Sequence, residues 1–392
     1  MGASATPAER PRVLHVAQAF AGGIASYLEE LADYQKEQFG RSNVAFVVPA
    51  HAPRFARLDP AQLICFKSAS RRPAALVDFA RQADAAIARF KPNVVHLHSS
   101  FAGAIVRSLL AMRSARPHIV YCPHGWAFGM DISPAKKAGY AFLERRLARA
   151  TDTILVNSRS EFELGAQFGL PLDKMRVVAN GIGSAPPLQR PVRSGPLRIA
   201  FIGRHDRQKG LDILLDAVRR FPLSHIQFDI VGDRILAPAG RGSAVAGDNI
   251  TCHGWLKRSE ITALLANVDA VVMPSRWEAF GLVAIEAMRA GVPVIASDRG
   301  ALPEVVENGA TGFIFKLDDP DALGVLLGSL TRQQLADLGP AARKRWETQF
   351  MADRMNALIG DTYAHVLTQA HCGRTAAAPI GDRGALAPGA QG

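Results

Sequence analysis

Two short stretches in the second half of the chain combine the residue types that chemistry at phosphates requires. The first, Ser275 through Ala287, reads Ser-Arg-Trp-Glu-Ala-Phe-Gly-Leu-Val-Ala-Ile-Glu-Ala and follows an apolar run, Val271–Met273, that ends at Pro274. A helix starting near Gly281 leaves the backbone amides of Phe280, Gly281, Leu282 and Val283 without intrahelical acceptors, and such amides bind anions. Glu286 falls in the second turn among apolar neighbours, where a carboxylate behind a phosphate site suits hydrogen bonds from vicinal hydroxyls. Glu278, ahead of the helix, is placed to reach whatever the phosphates carry. By themselves two acids eight residues apart fit a helix cap and a salt bridge equally well.

The second stretch is Phe201-Ile-Gly-Arg-His-Asp-Arg-Gln-Lys-Gly-Leu-Asp212, which reads as a strand turning into a helix. Gly203 and Gly210 permit a tight turn, and Arg204 and Lys209 bring two cations to the carboxyl end of the strand. Arginine grips phosphate oxygens in pairs, whereas lysine acts as a point charge. At 4 Å and an effective dielectric near 20, one cation–anion contact is worth about 4 kcal/mol before desolvation is subtracted. Two such cations decide how readily a diphosphate departs. Arg207 reads as surface charge.

The elements that must position these residues are short β-branched runs alternating with helix-length segments. Strands are expected at Arg12–Ala17, Val44–Val48, Val94–Leu97, Ile119–Cys122, Thr153–Val156 and Met175–Val178, and again at Arg198–Ile202, Gln227–Val231, Ala270–Met273, Val294–Ala296 and Gly312–Phe315. Helices are expected in the second series at Gly210–Arg220, Ser259–Ala266, Gly281–Ala290 and Pro320–Ser329. The pattern predicts two doubly wound α/β domains with parallel sheets, facing each other across a cleft that holds the ligand. Residues 1–184 form the first, acceptor-binding domain, and the Pro- and Gly-rich segment 185–196 is the linker. Residues 197–349 form the second, donor-binding domain. One or two helices are expected from Pro340, with 350–370 a C-terminal helix that returns toward the first domain, and 371–392 reads as a disordered tail.

Length and composition narrow the class. The chain has 392 residues, 48% hydrophobic and 21% charged, too large for a disulfide-stapled miniprotein and too apolar for a chain disordered throughout. Its longest uncharged run, Val13 to Leu28, spans 16 residues and is broken by Gly22-Gly23, short of a bilayer crossing. Four scattered cysteines offer no zinc pattern, and a reducing cytoplasm is the simplest compartment. The net charge is +11, and residues 51–150 alone hold 16 Lys and Arg against 5 Asp and Glu. A basic first half suits an anionic partner. The segment Pro134–Ala150 sets Lys136, Lys137, Arg145, Arg146 and Arg149 beside Tyr140, Phe142, Leu143 and Leu147. Packing on a sheet is the preferred reading for this helix, with an anionic membrane surface as the alternative.

Together these segments resemble the retaining glycosyltransferases of family 4, which have the GT-B fold. The resemblance rests on the Gly-Arg-x5-Lys-Gly turn, on Glu278-x7-Glu286, and on the run from Ala290 through Asp298-Arg-Gly300, Pro303-Glu304 and Asn308-Gly309 to Phe313. It implies that Arg204 and Lys209 hold the donor diphosphate, that Glu286 binds the ribose and that Glu278 contacts donor-sugar hydroxyls. It further implies that Gly22 and Gly23 form a Gly-rich loop near the diphosphate, and that His124 approaches the donor sugar. The nucleobase is placed near Gly232 and the His253-Gly254-Trp255 turn. The implied activity is transfer of a sugar from a UDP- or GDP-linked donor to a glycan or lipid-linked acceptor, and the excess of cations in residues 51–150 suits a polyprenyl-diphosphate-linked sugar at the inner face of the cell membrane, as in exopolysaccharide or lipopolysaccharide assembly. No metal and no other cofactor is expected.

Other patterns carry less. His96 and His98 could ligate a metal, but lacking an acid or cysteine at ligand spacing they read as core or loop histidines. Asp319-Pro-Asp321 resembles a metal-binding D-x-D, yet Asp before Pro is ordinary helix-start chemistry. The sequence contains neither G-x-x-x-x-G-K-[ST] nor G-x-S-x-G, which argues against a P-loop NTPase and a serine hydrolase of that type. No complete G-x-G-x-x-G follows the first strand of either half, against a dinucleotide oxidoreductase, and no array of aromatics supports nucleic-acid binding. A non-catalytic GT-B partner subunit is the alternative that keeps the same cleft.

Overall fold

The computed structural model describes residues 10–375 except 21, 51–59, 68, 71 and 234–246. In the first domain the strands are β1 (Val13–Ala17), β2 (Val44–Pro49), β3 (Leu63–Phe66), β4 (Val94–His98), β5 (His118–Cys122), β6 (Thr153–Val156) and β7 (Met175–Val177). They form one parallel sheet in the order β3-β2-β1-β4-β5-β6-β7. Between these strands the chain forms α1 (Gly23–Phe39), α2 (Pro73–Phe90), α3 (Ser100–Ala111), α4 (Pro134–Ala148) and α5 (Arg159–Gln167), which pack on the sheet. The central strands are buried along their whole length, which is why they read as continuous apolar runs rather than alternating ones.

The second domain holds β8 (Leu197–Ile202), β9 (Ile226–Val231), β10 (Ile250–Gly254), β11 (Ala270–Met273), β12 (Val294–Ser297) and β13 (Gly312–Phe315). Their order is β10-β9-β8-β11-β12-β13, again parallel. Helices α6 (Leu211–Arg220), α7 (Arg258–Leu265), α8 (Leu282–Arg289), α9 (Leu302–Val305), α10 (Ala322–Ser329) and α11 (Arg332–Gln349) flank it. Strand order reverses beside β1 in the first sheet and beside β8 in the second, and the crevices at those switch points open into one cleft.

The chain crosses between domains twice at one place. Ile182 N–H donates to the Phe350 carbonyl and Ala352 N–H donates to that of Ile182, both at 3.0 Å. Helix α12 (Ala352–Thr375) then lies on the first domain, where Met355, Ile359, Tyr363 and Val366 join the core formed by β1, β2 and α1. Segment 183–194 has no regular element, but it is pinned: Arg190 donates to the Gly291 carbonyl and Arg193 pairs with Asp269.

Three expectations need correction. The strands β3 and β10 are absent from the sequence reading, since each sits at a sheet edge and is only partly buried. A helix begins at Arg332 rather than Pro340, with Thr331 and Gln334 forming a capping box, and Pro340 lies inside it. Residues 371–375, expected to open the tail, are instead part of α12, which runs to Thr375; the remainder of that expectation, residues 376–392, lies outside the described residues.

Candidate active site

The turn after β8 and the turn after β11 are stitched together. Gly210 has φ +69°, and a Cβ there would lie 2.0 Å from the Pro274 carbonyl oxygen, so only glycine fits. Arg276 N–H donates to the Gln208 carbonyl (2.8 Å), and the Gln208 side chain donates to the Trp277 carbonyl (3.1 Å). Gln208 also accepts from Arg204 at 2.8 Å. No sequence motif pointed to Gln208, although its place between Arg204 and Lys209 was a signal.

This stitching brings the predicted residues face to face. Lys209 Nζ lies 2.5 Å from Glu278 Oε2, with both side chains largely buried. Arg204 pairs with Asp206 at 3.0 Å. Beyond Glu278 the chain turns through Gly281, whose φ of +95° caps α8, and the first-turn amides of Leu282 and Val283 have no intrahelical acceptor. Phe280 is instead a core residue, its ring edge-on to Phe350 at 5.7 Å. Glu286 is half-buried one turn further on, its carbonyl accepting from Ala290 N–H at 3.2 Å. Burial pushes its carboxyl above the usual range, which Arg258 and Arg289 partly offset and Glu30 reinforces.

The first domain closes over this turn at two points. Gly22 and Gly23 begin α1, and a Cβ on Gly23 would meet Leu282 Cδ1 at 3.0 Å. The turn after β5 carries His124 and Gly125 at φ +52° and +109°, and a Cβ on Gly125 would lie 3.3 Å from Ala279 Cβ. The His124 ring turns inward, bonding through Nε2 to His98 Nδ1 at 3.1 Å, so the backbone of this turn is what faces the Glu278 loop.

Two further acids hold the first domain's side of the cleft, and the sequence reading assigned neither a role. Glu161 accepts from Gly125 N–H and Asn157 N–H, both at 2.7 Å, and burial pushes its carboxyl up to about 7. Its signal was Ser158-x-x-Glu161 at the start of α5. Glu304 crosses from the second domain to accept from the amides of Arg159 and Ser160 at 2.8 and 2.6 Å. It thereby caps α5 with a carboxylate.

The nucleobase candidates lie on the other flank. Gly232 N–H donates to the Gly254 carbonyl at 2.8 Å, and Trp255 beside it is 67% exposed. Asp229 links Arg198 and His253 just beneath. His96 and His98 are fully buried in the first domain's core. In the D-x-D segment, Asp319 accepts from Asp321 N–H and Asp321 pairs with Arg220, as at a helix start. Of the apolar residues expected to pack α4 onto its sheet, only Leu147 is buried, because Ala141, Glu144, Leu147 and Ala148 suffice for the contact. Tyr140, Phe142 and Leu143 stay exposed beside Lys136, Arg145, Arg146 and Arg149.

Two facing doubly wound domains, with Arg204, Lys209 and Glu278 gathered on turns at the strand ends of the second, have the GT-B fold. Sequence comparison agrees: residues 22–181 match the glycosyl transferase 4-like domain and residues 189–346 match the glycosyl transferases group 1. An uncharacterized 41.2 kDa protein in the cps region of Klebsiella pneumoniae is 31% identical over 88% of this chain and 98% of its own. The chain belongs to the group 1 glycosyltransferases. In fold it is similar to HepE from Anabaena, solved with UDP and glucose, at a TM-score of 0.73 with 20% identity, covering 90% of this chain and 99% of that one. Sucrose-phosphate synthase from Thermosynechococcus elongatus gives 0.77 with 19% identity, over 92% of this chain and 100% of that one.

Proposed function

We propose that this chain moves a sugar from a UDP- or GDP-linked donor to a glycan or polyprenyl-diphosphate-linked acceptor, with retention at the anomeric carbon and without a metal, in surface-polysaccharide assembly. The observation that carries this reading is the convergence of Arg204, Lys209, the α8 amides and Glu278 at one point of the cleft. The cps-region location of the Klebsiella relative and the UDP-glucose bound by HepE support the substrate class.

Phosphate oxygens compete with Glu278 and Asp206 for Lys209 and Arg204. Glu278, released from Lys209, then accepts hydrogen bonds from the donor sugar, and Glu286 accepts from the ribose. Trp255 and Gly232 flank the base. As the bond to the anomeric carbon breaks, charge grows on the diphosphate, and both cations and the α8 amides hold it more strongly than in the ground state. The departing phosphate oxygen takes the acceptor's proton on the same face of the sugar. The acceptor glycan fits a pocket of about 730 Å³ between the domains, lined by Met130, Asp131, Lys137, Trp277 and Arg299 and adjoining Glu278 through Trp277. Its lipid lies toward the exposed aromatic and basic face of α4, on which anionic vesicles dock.

One assay tests these points together. The protein is incubated with UDP-, GDP- and ADP-sugars and a polyprenyl-diphosphate-linked sugar in anionic vesicles; the product's anomeric configuration is read by NMR and the bound protein by sedimentation. The expected outcome is transfer with the donor's configuration kept, and vesicle binding that weakens with salt. Inverted product contradicts retention, failure to sediment contradicts the membrane contact, and donor binding without transfer favours the non-catalytic partner subunit.

A further inference from the structure

Behind the cleft, buried side chains from five elements stand in file. His15 on β1 pairs in register with His96 on β4, and His98, two residues along, shares their face of the sheet. From the cleft inward, His124 Nε2 meets His98 Nδ1 at 3.1 Å, and His98 Nε2 meets His15 Nδ1 at 3.0 Å. His15 Nε2 meets Gln35 Oε1 on α1 at 2.8 Å, and Gln35 donates to Tyr363 on α12 at 3.3 Å. The Tyr363 hydroxyl also meets His96 Nδ1, at 2.7 Å.

Among the described residues, the groups packed on the file are uncharged: Tyr27 of α1 edge-on to His124 at 4.7 Å, Cys122 of β5 at 3.6 Å from its Nδ1, and Phe46 of β2 stacked on His15 at 4.8 Å. Burial pushes His15 down to about 4 and His124 to about 3, and holds His96 and His98 well below the usual histidine value. A neutral imidazole has one donor and one acceptor. Such a file therefore has a single direction, and the Gln35 amide at its end sets the tautomer of every ring along it.

We propose that Gln35, His15 and His98 are positioning residues for His124: they fix its tautomer and clamp the left-handed His124–Gly125 turn against the Ala279 loop, from a distance and without touching substrate. This assignment deepens the transferase reading and rests on it for its kinetic consequence, but not for its tautomers. His15, His96 and His98 each bring a ring nitrogen within 4.8 Å of the others, a spacing that also suits a metal ion. Here the nitrogens of His15 and His98 that face each other are already bonded to one another.

The test has two arms. In protein labelled with ¹⁵N-histidine, His15, His98 and His124 should show one and the same neutral tautomer from pH 6 to pH 8, assigned by single His→Asn variants. Mixed tautomers, or a stoichiometric transition metal in the purified protein, overturn the file whatever the enzyme does. In transfer assays, Gln35→Leu should lower kcat at least tenfold with the donor KM within about threefold, whereas Gln35→Glu, which keeps an acceptor for His15, should recover most of the loss. Wild-type kcat in a folded Gln35→Leu, with a common tautomer intact, would overturn the positioning role alone.

Discussion

Lys209→Met should lower kcat for sugar transfer by roughly 100- to 1,000-fold, the usual effect of removing one preorganised donor from a developing anion. The lysine ammonium lies 2.5 Å from Glu278 and at the stitched turn joining β8 to α6. In the proposed mechanism it serves the leaving diphosphate at the moment of bond breaking, so the loss belongs in kcat more than in donor KM. Glu278→Gln should cost a similar factor by weakening its hold on the donor sugar. Because the donor separates the two side chains and each then acts on a different part of it, the double variant should lose close to the product of the two single effects. Each variant should melt within about 5 °C of the parent, since the partner left behind still reaches water at the cleft. A double variant no worse than either single one would contradict separate roles on the donor, and wild-type kcat in either single variant would remove that residue from the mechanism.

Acid should unfold this protein early. Four buried imidazoles, His15, His96, His98 and His124, are held neutral below the usual histidine value, whereas in the unfolded chain they titrate near 6.5. Below pH 6.5 the unfolded state binds more protons than the folded one, so stability present at pH 7 is lost as pH falls toward 4. Each histidine contributes a loss of about 1.4 kcal/mol per pH unit across that window. Glu161 and Glu286 act in the opposite sense, because their raised carboxyls bind protons in the folded state first. The four imidazoles outnumber the two carboxyls, so the net effect is a loss of stability as pH falls below 6.5. Urea unfolding at pH 7.5, 6.5, 5.5 and 4.5 should show the midpoint falling at each step below 6.5. A midpoint unchanged from pH 7.5 to 5.5 would mean that these rings are charged in the folded protein.

Most of the fold was legible where a physical constraint writes itself into consecutive residues. The central strands, buried on both faces, have to be apolar throughout, and Gly210, at φ +69° against the Pro274 carbonyl, marks a place where a side chain cannot fit. The edge strands Leu63–Phe66 and Ile250–Gly254 were not legible, because an edge strand needs apolar residues on one face only and these are short. Gly339-Pro340 read as a boundary by the same rule that worked elsewhere. Inside α11 the proline is tolerated, and Gly339 lets the helix approach α8, where a Cβ would lie 2.7 Å from the Gly291 carbonyl oxygen.

Motif spacing named the residues of the site but not their orientation. Nothing in the sequence said that the His124 ring points inward, or that Lys209 and Glu278 pair. The histidine file was further out of reach, since it depends on Gln35 meeting Tyr363 from 328 residues away and on α12 packing beside α1.

The most direct test of the whole account is a crystal structure with an intact nucleotide-sugar donor bound. The account predicts diphosphate oxygens about 3 Å from Lys209 Nζ and the Leu282 and Val283 amides, sugar hydroxyls on Glu278 and ribose on Glu286. A donor seated elsewhere in the molecule, or one whose diphosphate faces away from Arg204 and Lys209, would contradict it.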